Sequence, residues 1–271
     1  MKRSLYRYAR PFQGGIREGI LIRLESDSGR VGWGEVAPLP GYSKETLEEA
    51  LEDLIEGTDS GYPSVQWGRA AAILDLLSPL EVESIPVRTL HQDKIKVGHL
   101  TLTEAIAKLE TQEAVGVDMN QQWSLKDALS LAQHFPHLEY FEEPLKAGED
   151  QKAFPYPVAL DESLREETPH YPNVQAHVIK PTLSGYPLPE KTKGVDFILS
   201  SSYESEIGIY QIAKLAFRLN LPLKPMGLGT CHLFEDSLFE ETPQLKHGKL
   251  YFPKKWSLKT EKVQVILDEC V

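Results

Sequence analysis

The 271-residue sequence predicts an α/β protein: a small α+β domain followed by a TIM-like parallel barrel whose helices are trimmed. Three observations predict it. From Ile85 onward, eight short apolar runs alternate with polar or helical segments: IPVRTL, KIKVG, VGVDMN, YFEEP, VALDES, HVIKP, DFILSSS and LPLKPMG. That is the rhythm of strands joined by crossovers. Three runs end in an acidic residue, Asp118, Glu142 and Asp161, at spacings of 24 and 19 residues. Each interval fits about one strand, one helix and one turn. The residues before Val36, in contrast, alternate as an antiparallel sheet does.

Taken in order, Ser4–Arg10 and Glu18–Glu25 read as strands, with Ile20, Ile22 and Leu24 on one face. Gln13–Gly15 is a loop, Ser26–Arg30 a turn, and VGWGEV returns as a third strand. Ser43 is placed to cap a helix over Lys44–Glu56, since Leu47, Ala50, Leu51, Leu54 and Ile55 make one helical stripe and the acidic residues from Glu45 to Asp53 lie mostly off it. A second helix covers Val65–Leu77. In the barrel region the segments Leu125–Phe135 and Glu206–Leu219 are well patterned helices. Three other connections are rich in proline, which permits a turn or two at most. The link from Leu90 to Lys94 is too short for a crossover helix, although parallel neighbours normally need one. Either IPVRTL is no regular barrel strand, or the barrel is irregular there. In the tail, KLYFP and KVQVILDE have strand character and are expected to return to the N-terminal sheet. The domain expectation is a cap of residues 1–84 joined by 240–271, and a barrel of 85–239.

Composition bounds the partners. A net charge of −11 disfavours nucleic acid and anionic membranes while leaving room for a small anionic substrate held by local lysines. Two cysteines, Cys231 and Cys270, make no disulfide scaffold. No stretch approaches 18 apolar residues, and the N-terminus has no apolar signal-peptide core. The expectation is a cytoplasmic globular protein, monomer or homo-oligomer, acting on a small-molecule carboxylate.

In a parallel barrel the C-terminal strand ends share one face, where active sites lie. Asp118, Glu142 and Asp161 would converge there, and hard oxygen donors without His or Cys suit Mg2+. Lys94 and Lys96, at i and i+2, point to the same side of one strand. A lysine beside another cation has a lowered pKa and is available as a base. Lys180 ends another strand. Such a constellation suits removal of a weakly acidic proton next to a carboxylate, with the enediolate stabilised by metal. Taken singly, each signal has a plainer reading: an Asp after an apolar run is usually a turn or cap, and K-x-K is usually a solvated edge. The order K-x-K, D-x-N, E-E-P, D-E-S, K-P in consecutive strand slots is what lifts the joint reading.

These motifs, with GWGEVAPLPGYSKETLEEA, VDMNQQWS, DESLRE, KPTLSG, SSSYES and GLGT, make the sequence resemble the muconate-lactonizing-enzyme subgroup of the enolase superfamily, and within it the o-succinylbenzoate synthase family. The resemblance spans nearly the whole chain and implies a (β/α)7β barrel with an N-terminal α+β capping domain. It implies Asp118, Glu142 and Asp161 as ligands of Mg2+, with Mn2+ as a possible substitute. It implies Lys96 as the base, which also protonates the departing hydroxyl in a syn elimination. Lys180 would stabilise the enediolate from the other side of the ring, and Lys94 would tune Lys96. Asn120 would be a polar partner of the metal shell. Ser200 and Gly227 would meet the succinyl tail. Gln13–Arg17 and Pro40–Ser43 would close as a lid. The implied reaction is dehydration of 2-succinyl-6-hydroxy-2,4-cyclohexadiene-1-carboxylate. Two other readings remain open: an N-succinylamino acid racemase or epimerase using Lys96 and Lys180 as two bases, and a trimmed barrel without catalysis. Against a dipeptide epimerase, the GLGT segment lacks the acidic pair that some relatives carry.

Overall fold

The computed structural model describes residues 1–57, 60–89, 94–165 and 170–270. The chain opens with three strands, β1 (Lys2–Phe12), β2 (Gly15–Glu25) and β3 (Val31–Val36), then helices α1 (Leu47–Glu56) and α2 (Pro63–Leu77) and strand β4 (Ser84–Thr89). There follow β5 (Lys94–Lys96), α3 (Leu102–Glu110), β6 (Gly116–Asp118), α4 (Leu125–His134), β7 (Tyr140–Glu142), β8 (Val158–Leu160), β9 (Val174–Ile179), α5 (Pro181–Ser184), β10 (Asp196–Leu199) and α6 (Glu206–Arg218). The chain closes with β11 (Met226–Gly229), β12 (Gln244–Lys246), β13 (Lys249–Tyr251) and β14 (Val263–Cys270). Two compact units result. One comprises Met1–Val87, Lys180–Pro189 and Leu199–Val271; the other comprises Arg88–Ile179 and Glu190–Ile198. No helix among the described residues is long and apolar enough to cross a membrane.

In the first unit β14, β1, β2 and β3 form an antiparallel sheet. The β1–β2 hairpin pairs through to Phe12 opposite Gly15. Its two-residue turn, Gln13 and Gly14, has φ of 47° and 77°, the double positive φ of the turn that matches strand twist. Leu5, Ile20, Ile22, Leu24 and Val36 pack with Leu47, Ala50, Leu54 and Val65 in one core cluster. Glycine is required where α2 crosses β3: a Cβ on Gly34 would strike the Gly68 carbonyl oxygen and come within 3.0 Å of the Ala72 nitrogen.

Several expectations need correction here. Helix α1 is capped by Thr46, not Ser43: Thr46 Oγ1 accepts from the Glu49 nitrogen at 3.2 Å, and Glu49 Oε2 accepts from the Thr46 nitrogen at 2.8 Å. That reciprocal pair outcompetes Ser43, whose Oγ instead accepts from the Leu39 nitrogen at 2.8 Å. Glu45 lies ahead of the helix, buried, accepting from Ser64 N at 3.0 Å and so serving the start of α2. The last candidate strand runs over Met226–Gly229; Leu221–Pro225 form no strand. The tail divides: β14 does return to β1, but β13 pairs antiparallel with β4, in a sheet ordered β11-β4-β13-β12. Ser84–Thr89, which takes in IPVRT, is therefore a strand with an antiparallel neighbour. The short link after it, at Leu90–Asp93, lies outside the described residues.

The second unit holds the six-stranded sheet β10-β9-β8-β7-β6-β5, with each neighbouring pair from β5–β6 to β8–β9 parallel. Most of its strands are three or four residues long, yet Ile95, Val97, Val117, Met119, Phe141, Val158 and Leu160 are buried in one cluster with α3 and α4. The crossovers are as thin as the prolines require. Among the described residues, only a three-residue 3-10 turn (Gln151–Ala153) follows β7, a four-residue one (Glu162–Arg165) follows β8, and four-residue α5 follows β9. Helix α3 was legible but unread: Thr101 and Glu104 form a capping box.

Candidate active site

Register alone builds a row of charge. Across β5, β6 and β7, Lys96 stands opposite Asp118, and Asp118 opposite Glu142, on strands about 4.8 Å apart. Glu142 pairs with Ala159, so Asp161, two residues on, lies one step further along the same side. Lys94 shares that side with Lys96. The three carboxylates are buried, at 2%, 2% and 4% exposure.

Lys94 bridges two of them. Its Nζ lies 3.2 Å from Asp118 Oδ2 and 2.7 Å from Glu142 Oε1. Lys96 Nζ is 3.8 Å from the same Asp118 oxygen. Burial pushes the Glu142 carboxyl up to about 8, with the Asp118 and Asp161 charges adding to the shift and Lys94 opposing it. For Lys94 burial works downward, but Glu142 and Asp118 prevail and hold its ammonium well above the usual lysine value. Lys94 is flanked by carboxylates more closely than by another cation, which sets that direction.

A fourth buried carboxylate, which sequence reasoning passed over, holds the backbone at the end of β8. Glu143, 1% exposed with φ of 45°, accepts at Oε1 from the Asp161 nitrogen (2.7 Å), the Ser163 nitrogen (2.9 Å) and Ser163 Oγ (2.6 Å). Its Oε2 accepts from Gln121 Nε2 at 3.0 Å. The signal was the second Glu of YFEEP. Arg165, four residues after Asp161, brings Nη2 to 3.9 Å from Asp161 Oδ1. Asn120 and Gln121 also have positive φ, 46° and 57°. Such backbone persists where the surroundings over-determine it; here the Asn120 nitrogen donates to Asp118 Oδ1 at 3.2 Å, and its Nδ2 reaches Glu162 Oε1 at 3.5 Å.

As donors the three carboxylates are the hard oxygen set that Mg2+ takes, and their in-register strand ends are the right scaffold for it. In the conformation described, Lys94 supplies the positive charge between Asp118 and Glu142. Among the described residues no three acidic, His or Cys side chains are drawn together tightly enough to hold a metal ion.

The remaining expected residues belong to the first unit. Lys180 caps α5. Ser200 and Gly227 are brought together by a parallel bridge, with Ser200 Oγ donating to the Gly227 carbonyl at 3.3 Å. A Cβ on Gly227 would lie 2.8 Å from the Ser200 Cβ, so the contact demands glycine. Arg17, expected in a lid, is instead buried on β2 at 4% exposure; its guanidinium is held by backbone carbonyls.

Residues 1–76 match the family model of the MenC N-terminal domain, and residues 88–180 match that of the enolase C-terminal domain. An o-succinylbenzoate synthase of Haemophilus influenzae is 30% identical over 315 aligned positions, covering 89% of this chain and 93% of the relative. One from Klebsiella pneumoniae is 31% identical, covering 89% and 94%. Among solved structures, the o-succinylbenzoate synthase of Thermosynechococcus elongatus, which carries Mg in its active site, aligns at a TM-score of 0.66 and 22% identity over 88% of this chain and 95% of that one. The L-Ala-D/L-Glu epimerase of Bacillus subtilis aligns at 0.74 and 16% identity, covering 98% of each chain. The fold is that of the enolase superfamily, a capping domain with a TIM-like barrel. By its sequence over nearly nine-tenths of its length, the chain belongs to the o-succinylbenzoate synthase family of the enolase superfamily.

Proposed function

We propose that the chain catalyses the syn dehydration of 2-succinyl-6-hydroxy-2,4-cyclohexadiene-1-carboxylate to o-succinylbenzoate, in the cytoplasm, as a step of quinone biosynthesis. The observation that carries this reading is the in-register row Lys96, Asp118, Glu142 with Lys94 beside it, in a chain of this family. Mg2+, with Mn2+ as a substitute, held by Asp118, Glu142 and Asp161, would supply the positive charge that the substrate carboxylate needs as it takes up a second negative charge. Lys96 Nζ, as the neutral amine, takes the proton from the carbon next to that carboxylate. The electron pair left behind expels the ring hydroxyl, which departs as water with the proton that Lys96 returns. The lysine is neutral again and the ring is aromatic. The Lys94 ammonium, fixed between Asp118 and Glu142, would tune Lys96 from the same side of β5. Glu143 sets the backbone of Asp161, and Asn120 sets Asp118.

By the resemblance, Lys180 would meet the developing negative charge, Ser200 and Gly227 would hold the succinyl tail, and Pro40–Ser43 with the Gln13–Gly14 turn would serve the substrate as a lid. Residues 1–84 with 240–271 act as the cap, and 85–239 as the barrel.

The test is loss of the cyclohexadiene's ultraviolet absorbance. Turnover should depend on Mg2+, vanish with EDTA, and vanish in Lys96→Ala. A folded, Mg2+-loaded enzyme with no turnover sinks the reading. N-succinylamino acid racemisation, assayed by polarimetry on the same preparation, is the other outcome that Lys96 and Lys180 would support.

A further inference from the structure

Arg17 uses every donor of its guanidinium on backbone. Nη1 donates to the Pro38 and Glu18 carbonyls at 2.8 and 3.0 Å. Nη2 donates to Ala37 and Ser202 at 2.5 and 3.2 Å, and Nε to Tyr203 at 3.2 Å. An arginine has five N–H donors, and all five are engaged with no carboxylate among the acceptors. Apart from Glu18, its own chain neighbour, these carbonyls come in two pairs. Ala37 and Pro38 follow β3 and lead into Pro40–Ser43. Ser202 and Tyr203 lie in the turn Ser200–Ser205, where Tyr203 has φ of 62°.

A buried cation that hydrogen-bonds only to carbonyls, with the Glu35 and Glu204 charges close enough to feel it, is an expensive way to fill a core; what it provides is a fixed geometry between the two segments. Nearby carboxylates hold the same turn from behind. Glu204 Oε2 accepts from the Ser202 nitrogen at 2.6 Å, and Glu35 Oε1 from the Ser205 nitrogen at 2.9 Å and the Tyr8 hydroxyl at 2.5 Å. Glu204 also accepts from Thr182 Oγ1 at 2.5 Å, so the turn is tied to α5, which begins just after Lys180. Both glutamates are buried.

We propose that Arg17 is a positioning residue that clamps the Ala37–Ser43 segment to the Ser200–Ser205 turn, and so sets the shape of the pocket for the substrate's succinyl tail. The proposal rests on the functional reading above, which assigns both segments to substrate. Arg17 touches no reacting atom; it acts through Ser200 and the Pro40–Ser43 segment. Lysine cannot replace it, having three donors on one point charge where the planar fork reaches four carbonyls outside its own strand.

The experiment uses Arg17→Lys and Arg17→Gln in the full chain with Mg2+. Because the clamp acts on binding segments rather than on the lysines of β5, KM for the cyclohexadiene should rise about tenfold or more while kcat stays within about threefold. Hydrogen exchange should show residues 37–43 and 200–205 losing protection together, with β5–β8 and Mg2+ affinity unchanged. If Arg17→Gln does not fold, Arg17→Lys, which keeps the charge, carries the test. Unchanged KM in folded Arg17→Lys overturns the clamp, as does protection lost uniformly across the chain, which would mark a core residue and nothing more. A wild-type enzyme without turnover overturns the reading beneath it instead.

Discussion

Replacing Glu143 by alanine should weaken both the fold and the proposed metal site, by amounts that follow from its bonds. The carboxylate satisfies the Asp161 nitrogen, the Ser163 nitrogen and Ser163 Oγ through one oxygen and Gln121 through the other. Ser163 Oγ and Gln121 can turn to other partners; the two backbone N–H groups cannot. Each buried donor left without an acceptor costs about 1–3 kcal/mol, so about 2–6 kcal/mol is expected in total. At roughly 2–4 °C per kcal/mol for a domain of this size, the melting temperature should drop by about 4–24 °C. The Asp161 carboxylate hangs from the backbone that Glu143 fixes, and losing such a support typically costs 10–100-fold in metal affinity. Glu143→Gln keeps an oxygen toward Asp161 and Ser163 but loses the charge, and charge-assisted bonds are about twice as strong as neutral ones; it should fall between wild type and Glu143→Ala. Calorimetric melting and Mg2+ titration read both effects, and added Mg2+ should partly restore activity. A Glu143→Ala protein that melts within about 1 °C of wild type and binds Mg2+ equally well would refute the assignment.

Other outcomes follow from the same bonding. Burial lowers the pKa of the His177 imidazole, so its contribution to stability is complete above pH 6.5 and is lost as pH falls through the folded-state value; His177→Gln should flatten the fall in urea midpoint below pH 6.5, by no more than about 1.4 kcal/mol per pH unit, and an unchanged slope would exclude His177 as the cause. Gly34→Ala should cost about 2–3 kcal/mol or more in thermal melts, because its Cβ meets rigid backbone of α2. Arg10, 1% exposed, forms a two-pronged pair with Glu206 at 3.0 and 2.9 Å; Arg10→Met strands that buried carboxylate and should cost about 3–5 kcal/mol, whereas a melt close to wild type would mean that Glu206 finds another partner.

The site was legible wherever chemistry and period coincide. Lys94, Lys96, Asp118, Glu142 and Asp161 sit at the ends of short apolar runs, and a period of two plus parallel register is enough to bring them to one side. The thin crossovers were legible too, because proline is excluded from a helix interior. Cap choice was less so: Ser43 and Thr46 are both competent, and only the reciprocal bond from Glu49 separates them. The boundaries of β11 were misplaced because LPLKP is as apolar as the MGLG that actually pairs.

By itself, then, the sequence determined the strand rhythm, the acidic and basic residues that share one side of the parallel strands, and the family, since those depend on local pattern and residue chemistry. Tertiary structure alone decided which groups lie between which. Lys94 is flanked by two carboxylates, so its proton is held rather than released. Glu143 turns inward to hold Asp161, and Arg17 is locked under two segments instead of moving with a lid. Each outcome depends on partners 18 or more residues away in the chain, and no local period encodes such distant pairings.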